Sequence, residues 1–279
     1  MTEVDMDQRA LVAGVFDRAA ETYDRVGVEM FGPIAERLVD ELRLRPGERV
    51  LDVGCGRGAV LFRAAERVGP TGGVDGVDLA PRMVEAVREE ARAAGLEVEV
   101  WVGDAQDPAP GSGPYDVVAS SLVLFFLPDP AAALRSWREL LVDGGRLGVT
   151  TFGGYSDSWK AVDGLLASYL PPGVRDPRST GGAGPFGSDE GVEELVRGAG
   201  FTDVRTAHLT VPVRFADQDH WHTWSWSVGQ RAMWEAVPEA EREDVRAEIY
   251  RRLQRCRDAE GRIGFDQDVR VTLARRGEP

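Results

Sequence analysis

The stretch VLDVGCGRG, Val50 to Gly58, restricts this chain more than any other feature. A short, continuously apolar run leads into an aspartate and then into three glycines at alternate positions. Bounded by glycine and too short for a helix, it reads as a strand buried on both faces of a parallel sheet. Glycine lacks a Cβ, so a turn built on Gly54, Gly56 and Gly58 lets ligand atoms come close to the main chain. A helix that starts just after such a turn offers free N–H groups.

The same alternation continues from residue 49 to residue 152. A helix is expected over Ala59 to Val68, then a strand in GGVDGVDLA, then a helix that opens at Pro81 and stops at Gly95. EVEVWVGDA is a third strand, and YDVVASSLVLFF a fourth. A helix follows over about Pro130 to Val142, and GGRLGVTTFG is a fifth strand. Alternating strands and helices define a doubly wound α/β sheet, in which ligands bind beyond the carboxyl ends of the strands. Two helices precede it, over 6–26 with Leu11, Val15 and Ala19 at helical spacing, and over Gly32 to Leu44, stopped by Arg45-Pro46-Gly47.

The remainder is less regular. YSDSWKAVDGLLASYL reads as a helix, and PPGVRDPRSTGGAGPFGS, rich in Gly, Pro and Ser, as a mobile loop. Ser188 is placed to cap a helix that runs to Ala199. FTDVRTAHLTVPVRF alternates as a strand does, an amphipathic helix presents Val245, Ile249, Leu253 and Cys256, and GFDQDVRVTLARR is a last strand. The expected organisation is N-terminal helices at 1–45, an α/β core at 46–152, a cap or loop insertion at 153–188, and completion of the sheet at 189–279 with an aromatic-rich helical cap at about 216–262.

Composition excludes several classes. The net charge is −14, and Lys160 is the only lysine among 33 basic residues, so a nucleic-acid partner is not expected. Two cysteines, Cys55 and Cys256, make no disulfide framework and no zinc set, which reads as a reduced cytoplasmic protein. The N-terminus has no signal-peptide pattern, and no stretch reaches the roughly 18 apolar residues of a membrane helix. No cluster of His, Asp and Glu has metal-ligand spacing.

Two ligand classes suit the glycine turn. GCGRGA matches the loose G-x-G-x-x-G/A form of a dinucleotide site. The alternative is S-adenosylmethionine, which has no phosphate and carries a cationic amine and a sulfonium. Asp52, two residues before Gly54, would repel a pyrophosphate and suits the cationic ligand. Asp78 ends the second strand, where a carboxylate accepts from both ribose hydroxyls, as either ligand class requires. Asp104 ends the third, where it can accept from an adenine amine. Three aspartates at three successive strand ends form a joint signal.

VLDVGCGRG, GVDLAPRMV, VGDAQ and YDVVASSLVLFFLPDP together resemble the class I S-adenosylmethionine-dependent methyltransferases, over roughly residues 10–152. The likeness is to the small-molecule branch similar to ubiquinone and menaquinone biosynthesis methyltransferases, and VFDRAAETYDRV looks like its N-terminal element. The tail resembles actinobacterial natural-product methyltransferases, some of which modify peptides. The resemblance implies a mostly parallel, Rossmann-like sheet of seven strands, with the last inserted antiparallel. It implies that Gly54, Cys55, Gly56 and Gly58 form the cofactor floor and that Asp52 orients the methionine end. Asp78 would hold the ribose, with Leu79 and Met83 against the nucleoside, and Asp104 and Ala105 would meet the adenine. Ser120, Ser121 and Leu122 would face the methionine end and the transferred methyl, and Tyr23 would close over the cofactor. The product would be S-adenosylhomocysteine.

The acceptor side is read from fewer signals. Methyl transfer needs a base only if the acceptor holds a proton at working pH. His208 reads as a solvent-facing strand residue, and His222 is the candidate base because histidine titrates near neutrality unaided. Phe125, Phe126, Trp224 and Arg231 are candidates for the substrate pocket, aromatics as walls and the arginine for an acidic group; Trp221, Trp226 and Trp234 suit a cap core equally. The expected reaction is methylation of a small organic or natural-product acceptor, at a hydroxyl or carboxylate oxygen, by a monomer or homodimer. Alternatives are methylation of a peptide C-terminal carboxylate, an NAD(P)-dependent oxidoreductase, and a non-catalytic module that binds S-adenosylmethionine.

Overall fold

A computed structural model of the chain describes residues 3–108, 113–171 and 184–277. Seven strands form one sheet in the order β3-β2-β1-β4-β5-β7-β6. β1 (Arg49–Val53) pairs in parallel with β2 (Gly73–Asp78) on one side and β4 (Tyr115–Ser121) on the other. β3 (Glu99–Val102) extends the sheet beyond β2, and β5 (Leu141–Tyr155) extends it beyond β4, both in parallel. β7 (Ile263–Arg276) lies antiparallel between β5 and β6 (Phe201–Phe215). The chain therefore winds outward in opposite directions from β1, which leaves a crevice at the carboxyl ends of β1 and β4.

Helices cover both faces, and this is why β1 is apolar without alternation. On one face α2 (Phe31–Leu42), α3 (Ala59–Val68) and α4 (Pro81–Ala94) pack Leu38, Leu42, Leu61, Val84 and Val87 against Val50, Val117 and Ala119. On the other, α5 (Pro130–Leu140) and α7 (Asp189–Gly198) pack Leu134, Trp137 and Val196 against Leu51, Val53 and Val118. Helix starts follow capping chemistry. Asp129 accepts from the Ala132 N–H ahead of Pro130, and Ser188 accepts from the Gly191 N–H at 3.1 Å, as its position suggested.

The cap grows from the sheet itself. β6 and β7 are 15 and 14 residues long, and their outer parts carry Val211, Val213, Phe215, Ile263 and Phe265 into a separate apolar cluster. α8 (Gln218–Ser227), α9 (Arg231–Ala236) and α10 (Arg242–Leu253) are inserted between these two strands, and α6 (Asp157–Ala167) joins them from the end of β5. Trp159, Trp221, Trp224 and Trp234 are all buried here, as are Val245, Ile249 and Leu253; Cys256 is only partly so.

Several expectations need correction. The first helix, α1 (Glu3–Ala19), stops seven residues short of residue 26 because the chain turns at Thr22–Asp24, with Asp24 in the left-handed region at φ 55°. Of the expected stripe, Val15 and Ala19 are buried but Leu11 is 50% exposed. α2 ends at Leu42, where Arg43 turns left-handed at φ 51°. α5 gives way to β5 at Leu141, three residues before the strand was expected. His208 is exposed on β6, as expected, and contacts Asp189 at 2.8 Å. The expected mobile loop falls largely on residues 172–183, outside the described residues.

The cap core gives a stability prediction. Trp159 is 2% exposed and packs 4.1 Å from Phe265 and 6.0 Å from Trp224, ring centre to ring centre. Trp159→Ala removes a large side chain from a closed cluster, which costs about 3–5 kcal/mol. The expected outcome is a matching fall in unfolding free energy by chemical denaturation; a loss below about 1 kcal/mol would mean that the cluster is loosely packed.

Candidate active site

The glycine turn is shaped by two requirements. Gly54, at φ 73°, lies so close to Val123 that a Cβ would collide with that side chain. At Gly56, φ 51°, a Cβ would meet nothing within 4 Å and would project into open space. Both glycines line a cleft that holds about 790 Å³, part of it open to solvent. The N–H groups of the turn's Gly54, Cys55, Gly56 and Gly58 are taken up within the protein. Gly54 and Cys55 both donate to the Val77 carbonyl, at 2.8 and 3.0 Å, and Gly58 donates to the Cys55 carbonyl at 2.7 Å. Gly56 donates to Asp78 Oδ2 at 2.8 Å.

Asp78 is thereby the junction of the site. Its other oxygen accepts from the Ala80 N–H at 2.9 Å, so one carboxylate ties the turn after β1 to the start of α4. Burial nevertheless raises its pKa. One strand further out, Asp104 accepts from the Gln106 N–H at 2.9 Å and pairs with Arg9 at 2.5 Å. Asp52 lies beneath the turn and does not line the cleft. It is 1% exposed, and its Oδ2 has no hydrogen-bond partner among the described residues. Burial, reinforced by the charge of Asp78, pushes its pKa up to about 7.

The cleft is roofed by the N-terminal segment. Arg9, Val12, Ala13 and Phe16 of α1 line it together with Tyr23. These positions recur at helical spacing (9, 12, 13, 16) and form the inward face that the Leu11 stripe was expected to supply. Tyr23 stacks on Phe31 at 4.8 Å and 24°, and Phe16 meets Phe126 edge-on at 5.5 Å. The roof is fastened at several points. Asp17 accepts from the Arg82 N–H at 2.7 Å, Arg57 donates to the Ala20 carbonyl at 2.6 Å, and both Arg57 and Arg25 pair with Glu90. Arg18 pairs with Glu235 of α9 at 2.5 Å.

Of the residues chosen from sequence, Tyr23, Gly54, Gly56, Asp78, Leu79, Met83, Asp104, Ala105, Ser121, Leu122 and Phe126 line this one cleft. Cys55 and Ser120 point inward: the thiol is buried with its pKa well raised by burial, and the Ser120 hydroxyl donates to the Val53 carbonyl at 2.9 Å. Gly58 backs onto Phe62. Phe125 stands behind Phe126, 4.8 Å away, and leans on Phe152 at 5.2 Å.

The other acceptor-side candidates lie outside the cleft lining. Trp224 is cap core, 5.2 Å from Phe215. Arg231 pairs with Glu235 at 2.9 Å, which makes Glu235 a bridge between the roof and the cap. His222 sits among Trp226, Trp234 and Tyr250. An indole N–H only donates, so the Trp226 bond at 3.1 Å occupies the lone pair of His222 Nε2. Burial lowers its pKa. His220 is committed as well: Nδ1 accepts from the Ala216 N–H at 3.1 Å, so Nε2 donates to the Val26 carbonyl at 2.7 Å.

A doubly wound parallel sheet with acids at three adjacent strand ends around a bare glycine turn defines a site for a cationic nucleoside. Comparison with known proteins agrees. Residues 50–145 match the family model described as a methyltransferase domain. The chain is 42% identical over 250 residues to nocamycin O-methyltransferase of Saccharothrix syringae, covering 86% of this chain and 89% of that one. It is 45% identical over 148 residues to the aklanonic acid methyltransferase DauC of Streptomyces sp. strain C5, covering 53% of this chain and 67% of that one. The crystal structure of the YcgJ protein from Bacillus subtilis shares the fold with a TM-score of 0.58 at 18% identity, over 88% of this chain and 99% of that chain. The chain belongs to the class I S-adenosylmethionine-dependent methyltransferases, and S-adenosylmethionine is its cofactor. The open space at Gly56 and the unpartnered oxygen of Asp52 both fit that ligand, the first its bulk and the second its positive charge.

The Asp52 environment predicts that binding is proton-linked, acting through its charge beneath the turn. With a pKa of about 7, the carboxyl is mostly protonated in the empty protein at pH 6. A cationic amine nearby favours the ionised form. Cofactor binding near pH 6 is therefore expected to release a proton, and affinity to rise with pH through about 7. Calorimetry in buffers of different ionisation enthalpy measures the released proton, and Asp52→Asn is expected to reduce it. An unchanged proton count in that variant would contradict the assignment.

Proposed function

We propose that this methyltransferase acts on oxygen, and that its acceptor is a carboxylate on a small, aromatic-rich organic acid. The observation that carries this reading is the state of the cleft's ionisable groups. Among the described lining residues there is no histidine. Asp104 is paired with Arg9, Asp78 is held by two backbone N–H groups, and burial raises the Tyr23 pKa so that its hydroxyl stays protonated. An acceptor that is already ionised suits such a site, because it has no proton to give up. The aklanonic acid methyltransferase, by its name, acts on an acid, and nocamycin O-methyltransferase on oxygen.

Bound S-adenosylmethionine supplies an activated methyl group on a sulfonium. The residues of this chain have to align the acceptor and exclude water, and such positioning is worth about 7–11 kcal/mol. Phe16 and Phe126 supply the apolar lining for this, with Phe125 and Phe152 behind. A carboxylate approaching a sulfonium in that low-dielectric space gains from mutual charge attraction. The whole cleft is built within one chain, so the reading needs no second copy. It places the enzyme in the cytoplasm, where the unpaired thiols of Cys55 and Cys256 stay reduced.

The test is incubation with methyl-labelled S-adenosylmethionine and a panel of polycyclic carboxylic acids, aklanonic acid included. Label is expected in a base-labile methyl ester. A general base contributes roughly 10²–10⁴-fold, so His222→Gln, which keeps an acceptor for the Trp226 N–H, is expected to lose less than about threefold. No ester from any acid, or a hundredfold loss in that variant, would contradict the reading.

A further inference from the structure

We propose that Thr150, a β5 residue outside the cleft lining, positions the methionine end of the site by turning the proton of Ser121 toward the cofactor's amino-acid carboxylate. The inference rests on the cofactor assignment and extends it to a residue with no ligand contact of its own.

The strand order lays the ligand out along the sheet. Asp104 follows β3, Asp78 ends β2, and the glycine turn follows β1. The register Asp52↔Ala119, continued two residues, sets Ser121 of β4 beside Gly54. With adenine at Asp104 and ribose at Asp78, the amino-acid end reaches Gly54 and Ser121.

That end carries a carboxylate, which needs donors. Asp78 and Asp104 only accept when ionised. The N–H groups of Gly54, Cys55, Gly56 and Gly58 are all committed within the protein. Arg57 turns away to Ala20 and Glu90, and Arg9 is paired with Asp104 at the adenine end. Among the described residues, two hydroxyls line the cleft. Tyr23 belongs to the roof, packed with Ala80 and Met83, and Ser121 lies at the methionine end.

The direction of the Ser121 proton follows from Thr150. Thr150 is fully buried. Its Oγ1 accepts from the Leu122 N–H at 3.0 Å and lies 2.9 Å from Ser121 Oγ. Were Ser121 to donate to Thr150, the Thr150 proton would be a buried donor with no described acceptor, which proteins avoid. Thr150 therefore donates to Ser121, and the Ser121 proton is directed into the cleft. The same residue holds Leu122, whose φ of 59° is unusual for a leucine, through its carbonyl (3.1 Å from the Leu122 N) and its hydroxyl.

The test is calorimetry with S-adenosylhomocysteine and with 5′-methylthioadenosine, which keeps the nucleoside thioether and lacks the amino acid. Ser121→Ala is expected to weaken S-adenosylhomocysteine binding roughly tenfold or more, the effect of losing a hydrogen bond to a charged group, and Thr150→Val, which leaves the Ser121 hydroxyl but frees its rotation, by a smaller factor of about fivefold. The double variant is expected to be no worse than Ser121→Ala alone, because Thr150 acts only through the Ser121 hydroxyl. Thr150→Ser restores wild-type binding, and no variant moves 5′-methylthioadenosine by more than about threefold. Thr150→Ala carries the same expectation if Thr150→Val does not fold. Wild-type affinity in Thr150→Val, losses that multiply in the double variant, or an equal loss with 5′-methylthioadenosine would overturn the proposal. Wild type that binds neither ligand would instead refute the cofactor assignment beneath it.

Discussion

The carboxylate of Asp78 is the constraint on which the site depends. It accepts from Gly56 on the turn after β1 and from Ala80 at the start of α4, so two crossovers of the sheet meet on one side chain. The turn can adopt its open shape because those N–H groups are satisfied there and at Val77. Burial makes this carboxylate costly and raises its pKa, and ribose hydroxyls donating to it would favour the charged form. The fold thus holds a buried carboxylate at the switch point, which suits it to a ligand rich in donors.

The sheet and the cap divide the work. The strand ends present Asp78, Asp104 and the glycine turn, whose positions are fixed by parallel register. The roof comes from α1, and its attachments reach both halves: Arg9 to Asp104 after β3, Asp17 to the start of α4, Arg18 to Glu235 on the cap. Glu235 also binds Arg231, so one carboxylate links the roof to the cap. The aromatic cluster of Phe125, Phe126 and Phe152 joins the cleft lining to the cap core.

The floor was legible in the sequence because its signals are local. At β1 a strand, an aspartate and a glycine turn lie within a few residues of one another, and aspartates recur at the ends of the next two strands. The roof was not legible as a lining, since Val12, Ala13 and Phe16 face the cleft only through contacts with residues up to about a hundred positions away, such as Phe126. Their helical spacing was available, yet Leu11 and Val15 offered an equally good stripe. Histidine chemistry pointed to His222, but a titration argument carries no direction, and the Trp226 N–H takes its lone pair inside the cap. Thr150 gave no signal because its part is a single proton passed to a neighbour on another strand.

The central claim is that one extended nucleoside ligand lies across consecutive strand ends. The most direct measurement is a crystal structure with S-adenosylhomocysteine bound. The account predicts adenine beside Asp104, both ribose hydroxyls on Asp78 and the amino-acid end between Gly54 and Ser121. A ligand in the reverse direction, or one seated in the cap away from Gly56, would contradict it.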